Sequence, residues 1–118
     1  MIIHRNAMKT ELKEHMRGGD GTVTLVHFDS AENMKNCRLM AELTIPPGAS
    51  IGEHSHDEET EYYIILSGTG IVVDEGTERA VGPGDVVVTG NGASHSIRNS
   101  GSVPLVFHAV IVTYGTEA

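Results

Sequence analysis

The stretch Gly48–Gly68, GASIGEHSHDEETEYYIILSG, carries a His-x-His pair, His54 and His56, then an acidic run, then Glu61 at the head of an apolar segment. Successive side chains of a β-strand point to opposite faces, so residues two apart share a face. On an extended chain His54 and His56 therefore lie side by side, about 7 Å apart along the strand. Two imidazoles in that relation reach one metal ion. Asp57–Thr60 is polar enough to turn, and the turn is expected to return the chain antiparallel and set Glu61 opposite the pair.

Working outward, short apolar runs alternate with glycine-rich punctuation. Cys37, Leu39, Ala41, Leu43 and Ile45 alternate with Arg38, Met40, Glu42 and Thr44, which predicts a strand over 37–45 closed by Pro46-Pro47-Gly48. Thr22–Phe28 is a further β-rich run, and 62–66, 71–73, 78–81, 86–89, 95–98 and 105–114 follow at short spacing. Between them lie Gly68-Thr69-Gly70, Asp74-Glu75-Gly76, Gly82-Pro83-Gly84-Asp85, Gly90-Asn91-Gly92 and Asn99-Ser100-Gly101. Many short strands divided by such turns define an all-β sandwich or barrel. Asp29 with Glu32 has capping-box spacing, which predicts one helical turn over 30–35. Residues 1–22 admit two readings: Met8, Leu12 and Met16 recur every fourth residue, as in a short helix ending at Gly18-Gly19, or the segment is an extended arm.

Bulk composition narrows the partners. At 118 residues the length fits one domain, 1–118. Eight basic against 16 acidic residues leave a net charge of −8, the wrong sign for nucleic acid or an anionic membrane as the main partner, and favourable for a cation. Cys37 is the only cysteine, so no internal disulfide forms, as expected of a cytoplasmic protein; it reads as a small buried apolar residue. No segment reaches the roughly 18 apolar residues of a membrane span, and the first 15 residues lack the apolar core of a secretory signal.

The Gly48–Gly68 stretch resembles the first motif of the cupin superfamily: Gly48, His54, His56, Glu61 and Gly68 stand at that motif's spacings. The second cupin motif follows as Gly84, Gly90, Gly92, His95 and Asn99, with Gly90 where the motif normally has proline. The resemblance covers roughly residues 37 to 114. It implies a small single-domain cupin, a jelly-roll (double-stranded β-helix) barrel over 37–114 preceded by an N-terminal arm, 1–36, that lies against a partner subunit. A homodimer is the expected assembly, since small barrels have sheet edges to cover.

The resemblance also implies a metal site of His54, His56, Glu61 and His95, with one divalent transition ion per chain: Mn, Fe, Co, Ni, Cu or Zn. Three neutral imidazoles and one carboxylate leave one or two positions for water or a ligand. Four intervening residues after His56 land on Glu61, whereas three would land on Thr60, a poor ligand. With Glu61 facing in, Tyr63 and Ile65 share its face and Tyr62 and Ile64 point away; His95 and Ile97 likewise face in. Asp57, Glu58 and Glu59 read as a solvated acidic turn, with a place at the barrel mouth as the alternative for one of them. His108 is either a cavity-lining side chain or a buried, hydrogen-bonded structural one, and His4, His15 and His27 have no spacing logic.

Three functions are compatible with such a site. One is a metal-dependent enzyme acting on a small oxygen-rich substrate (carboxylate, diol or sugar-like), with Tyr63 and His108 as acid/base candidates. Similar cupins carry out dioxygenation, decarboxylation, isomerisation and lyase chemistry, and fold alone does not choose among them. The second is a non-catalytic module that binds a small ligand or senses metal. The third is a structural relic whose metal only adds stability.

Overall fold

The computed structural model describes residues 1–115. Ten strands follow one another along it: β1 (Lys9–Glu14), β2 (Thr22–His27), β3 (Cys37–Ile45), β4 (Ser50–Ser55), β5 (Glu59–Ser67), β6 (Gly70–Asp74), β7 (Thr77–Val81), β8 (Val86–Gly90), β9 (Ser94–Asn99) and β10 (Leu105–Thr113). Among the described residues the helical segments are three single 3₁₀ turns, Arg5–Ala7, Met16–Gly18 and Ala31–Asn33. The last three residues of the expected domain, 116–118, lie outside the described residues.

The strands form two antiparallel sheets. The larger runs β1-β2-β3-β10-β5-β8 and the smaller β4-β9-β6-β7. This is the jelly-roll arrangement, and its core is the space between the inner faces. Ala41, Leu43 and Ile45 on β3, Tyr63 and Ile65 on β5, and Leu105, Phe107 and Ala109 on β10 meet Ile51, Val72 and Ile97 from the smaller sheet. Strict alternation makes this possible: Tyr62 and Ile64 are exposed while Tyr63 and Ile65 are buried. β3 has the bounds its alternation predicts.

Three local expectations need correction. The turn after His56 does not make a hairpin. β4 pairs with β9, whereas β5 pairs with β10 and β8, so residues 56–58 carry the chain from one sheet to the other. The helical reading of Met8–Met16 also fails: Lys9–Glu14 is strand, paired antiparallel with Thr22–His27, so the extended reading holds. A sequence as polar as KTELKE becomes a strand because β2 supplies its hydrogen-bonding partners. Near Ala31, the Asp29 carboxylate accepts from the Ser30 N–H and the Asn33 amide. The spaced Glu32 makes no capping bond, and the turn is confined to Ala31–Asn33.

The tip between β1 and β2 crosses to the smaller sheet and covers the edge of β4. The Ser50 N–H donates to the Asp20 carbonyl (2.9 Å), and the Asp20 N–H donates to the Ser50 hydroxyl (2.9 Å). One backbone donor of this edge strand is thereby satisfied.

Candidate metal centre

The four spaced residues converge. His54 lies on β4 directly opposite His95 on β9. His56 follows β4 and is pinned by its backbone, its N–H donating to the Ala93 carbonyl and its own carbonyl accepting from the Gly92 N–H. Glu61 reaches them from β5, across the gap between the sheets. One ligand atom from each of the four lies within 4.8 Å of every other. His56, Glu61 and His95 are buried and His54 nearly so.

Gly90, where the motif normally has proline, has a local reason. A Cβ there would stand 2.3 Å from the Thr60 hydroxyl oxygen. That hydroxyl instead pairs with the Tyr114 hydroxyl (2.7 Å), which donates to Asn91.

Hydrogen bonds on the far side of each ring fix what the ligand atoms present. His54 Nδ1 lies 2.8 Å from the Gly52 carbonyl, and His56 Nδ1 lies 2.6 Å from Glu59 Oε2. Both partners can only accept, so both Nδ1 atoms carry the hydrogen, and in the neutral rings Nε2 is left with a lone pair. His95 Nδ1 is 2.8 Å from the Thr89 hydroxyl. The Nε2 atoms then face one another at 3.0 Å (His54–His95) and 3.1 Å (His56–His95), with Glu61 Oε1 at 2.8 Å from His56 and 3.0 Å from His95. His54 and His56 thus aim lone pairs into the cluster, and either a metal ion or a hydrogen on His95 Nε2 meets them, since the Thr89 hydroxyl can donate to or accept from His95 Nδ1. Donors bound at about 2.1 Å stand roughly 3.0 Å apart at right angles and roughly 3.4 Å apart at tetrahedral angles. Four of these spacings fit the right-angled set, and Glu61 Oε1 to His54 Nε2 is longer, at 3.7 Å. The four residues could hold one metal ion.

The electrostatics agree with that reading. Burial pushes the Glu61 carboxyl up, but its contacts with the His54, His56 and His95 imidazoles outweigh it and hold the group well below the usual carboxylate range. Burial lowers His56, yet Glu61 and Glu59 together leave it raised. His95 is lowered, chiefly by burial. Glu59 drops to about 2 under its contact with Arg38, against burial and with help from His56.

Glu59 and Thr89 escaped the sequence reading. Glu59 is no solvated turn residue: both its oxygens meet the Arg38 guanidinium at 2.7 Å while one of them holds His56. Position marks it, since Glu59 stands two residues before Glu61 and shares its face of β5. Tyr63 is buried beside the cluster, its ring stacked on His95 with centroids 4.8 Å apart. Burial and the nearby Glu61 carboxylate hold its hydroxyl well above its ordinary value. His108 does not belong here. Phe107, Ala109 and Ile111 take the inner face of β10, and His108 points outward against Phe28, with Glu42 3.4 Å from its Nε2. Neither the cavity-lining nor the fully buried reading of His108 holds. A surface cleft of about 450 Å³ between the N-terminal segment and the Ala31–Asn33 turn lies away from the cluster.

The chain belongs to the cupin family, whose domain model matches residues 41–112. Among curated relatives it is 42% identical to the oxalate-binding protein of Thermotoga maritima, over 95% of this chain and 93% of that protein. Among solved structures it superposes with a TM-score of 0.91 on a Thermotoga maritima protein described as a predicted oxalate decarboxylase. Identity there is 41%, and 96% of this chain and 99% of that one are covered. A sugar phosphate isomerase of the cupin superfamily from Silicibacter pomeroyi matches at 19% identity and a TM-score of 0.76, over 95% of this chain and 75% of that one; this likeness concerns the fold. No helix of the described residues is long and apolar enough to cross a membrane.

Proposed function

We propose that the chain captures a small dicarboxylate of the oxalate type at a divalent transition ion held by His54, His56, Glu61 and His95. The observation that carries this reading is the convergence of four ligand atoms within 4.8 Å of one another, with the His54 and His56 lone pairs fixed by Gly52 and Glu59 on the far side of the rings. An ion such as Mn(II), Fe(II), Co(II) or Ni(II) has further positions that accept two ligand oxygens. The ligand class is suggested by the oxalate-binding relative. The ion would supply Lewis acidity, drawing charge from a bound carboxylate. The chain's own residues do the rest. Glu61 offsets part of the ion's charge, the three imidazoles set its position, and the inner apolar residues limit the space to a small ligand.

A second reading is turnover of the same ligand, with Tyr63 as its acid. The hydroxyl stands beside Glu61 and stays protonated, so it donates a hydrogen bond or proton and does not act as a base. No second acid/base group comes from His108, which makes capture the better supported function.

The test starts from protein purified without chelating resin and assayed for metal. Calorimetric titration with oxalate then compares the metal-loaded and chelator-stripped forms, with carbon dioxide and formate release followed in parallel. One ion per chain and oxalate binding that disappears on stripping are expected. Binding of equal strength in both forms would overturn the assignment, and product release would move it to the second reading.

A further inference from the structure

Tyr114 is the first residue past β10, and it lies beyond the residues matched by the cupin model, 41–112. Its N–H donates to the Glu58 carbonyl (3.1 Å), and its hydroxyl stands 2.7 Å from the Thr60 hydroxyl and 3.0 Å from Asn91 Oδ1. The Asn91 oxygen only accepts, so Tyr114 donates to it and receives the Thr60 hydrogen. One side chain thereby ties the crossing between the sheets to the turn between β8 and β9.

Those two segments are the ones that hold His56. Its N–H donates to the Ala93 carbonyl and its carbonyl accepts from the Gly92 N–H, while Glu59, next to Thr60, grips its ring. The contacts close a circuit: His56 to Gly92 and Ala93, Asn91 to Tyr114, Tyr114 to Thr60 and Glu58, and back along the chain to His56.

The turn in this circuit has little stiffness of its own. Gly90 stands where the second cupin motif normally has proline, and glycine widens the backbone's choice where proline fixes it. Asn91 and Gly92 are left-handed, at φ 55 and 84, as is Glu58, at φ 58, in the crossing. A residue with a Cβ adopts that conformation at a cost and keeps it only where its surroundings hold it. Gly90 also admits the clasp, since a Cβ at that position would displace the Thr60 hydroxyl. The absence of proline and the Thr60–Tyr114–Asn91 chain are therefore one arrangement, in which side-chain hydrogen bonds do the stiffening.

We propose that Tyr114 is a positioning residue of the metal centre, a clasp whose hydroxyl keeps His56 in place among the ligands and slows release of the ion. This rests on the metal centre argued above and concerns how firmly the ion is kept.

Tyr114→Phe keeps the ring and removes the hydroxyl, and Thr60→Val keeps the branched shape and removes one partner. Wild type, both variants and the double variant are loaded with Co(II), and release to excess chelator is timed by the loss of its visible absorption. The metal-free forms are melted alongside. Release should be about three- to tenfold faster in Tyr114→Phe, the effect of losing one or two neutral hydrogen bonds. Thr60→Val should show a smaller effect, because the bond to Asn91 survives, and the double variant should be no faster than Tyr114→Phe. Metal-free melts should match wild type: Tyr114 is exposed, so water replaces its bonds, though not the tie between the two segments. A wild-type release rate in Tyr114→Phe would overturn the proposal. Additive effects, or a fall in metal-free stability that parallels the faster release, would overturn it as well, since the hydroxyl would then support the fold at large. If wild type keeps no ion, the metal centre itself falls and this inference with it, an outcome distinct from an ion kept equally well by every form.

Discussion

Two carboxylate–imidazole groupings lie on opposite faces of the larger sheet, one around Glu61 of β5 and one around Glu42 of β3. On the inner face Glu61 meets His54, His56 and His95; on the outer face Glu42 meets His108 at 3.4 Å and Arg5 at 2.8 Å. The residue types are nearly the same, but the physics differs. The Glu61 side chain is 5% exposed and that of Glu42 is 23%. In the interior a carboxylate must recover its lost hydration from neighbours, and three imidazoles supply it. At the surface water does most of that work: Arg5 lowers the Glu42 pKa more than any other group, and His108 adds a lesser contribution. A binding centre is made by convergence and burial, and composition by itself does not make one.

Glu61→Gln should break the comparison most severely. The substitution keeps shape and removes the one negative charge among the ligand atoms, so the three imidazoles lose the counter-charge that favours a cation. Metal content after exhaustive dialysis should fall more than about a hundredfold in affinity terms, beyond the 10–100-fold typical of losing an outer partner. Wild-type metal retention in Glu61→Gln would show that the inner grouping is no more a binding site than the outer one.

A smaller change separates the ligands from their support. Glu59→Gln leaves every ligand atom in place but weakens the Arg38–Glu59–His56 chain, and metal affinity should drop about 10–100-fold. Metal-free protein adds a pH signature. The folded Glu59 pKa of about 2 lies below its ordinary 4.5, so its contribution to stability is complete above about pH 4.5 and is lost as pH falls toward 2. His56 is displaced upward from 6.5; its contribution is complete below that value and fades as pH rises through the raised one. Thermal melts of the metal-free protein should therefore show less acid sensitivity between pH 4.5 and 2 in Glu59→Gln than in wild type. Parallel curves would mean that neither Arg38 nor His56 holds the Glu59 carboxylate charged in the folded chain.

Much of this was legible in the chain because alternation is a local signal. Cys37–Ile45 announces its own face, Tyr63 and Ile65 go inward as parity requires, and the two spaced motifs bring His54, His56, Glu61 and His95 together. What stayed hidden depends on the partner strand. KTELKE has one apolar residue in six, so only pairing with Thr22–His27 reveals a strand. Parity at His108 separates two faces without saying which is inside; register against Leu43 and Ile65 through Phe107 decides it. The passage from β4 to β5 looks like a hairpin from within and is a crossing between sheets. Glu59 was readable by the same two-residue rule as Glu61, but its acidic neighbours disguised it as part of a solvated turn.

The outer grouping gives the smallest prediction and the sharpest control. Glu42→Gln removes the charge from an exposed trio in which the Arg5 side chain is 56% exposed. Exposed ion pairs are worth about 0–1 kcal/mol because water and salt screen them and two long side chains must be ordered to make them. The melting free energy should shift by less than about 0.5 kcal/mol, with metal content and oxalate binding at wild-type values. Glu42 shares a sheet with Glu61, so a general loosening of that sheet would appear in both variants. Metal loss in Glu61→Gln alone assigns the effect to the inner cluster, whereas comparable loss in Glu42→Gln would mean that the sheet, and not its buried carboxylate, governs the site.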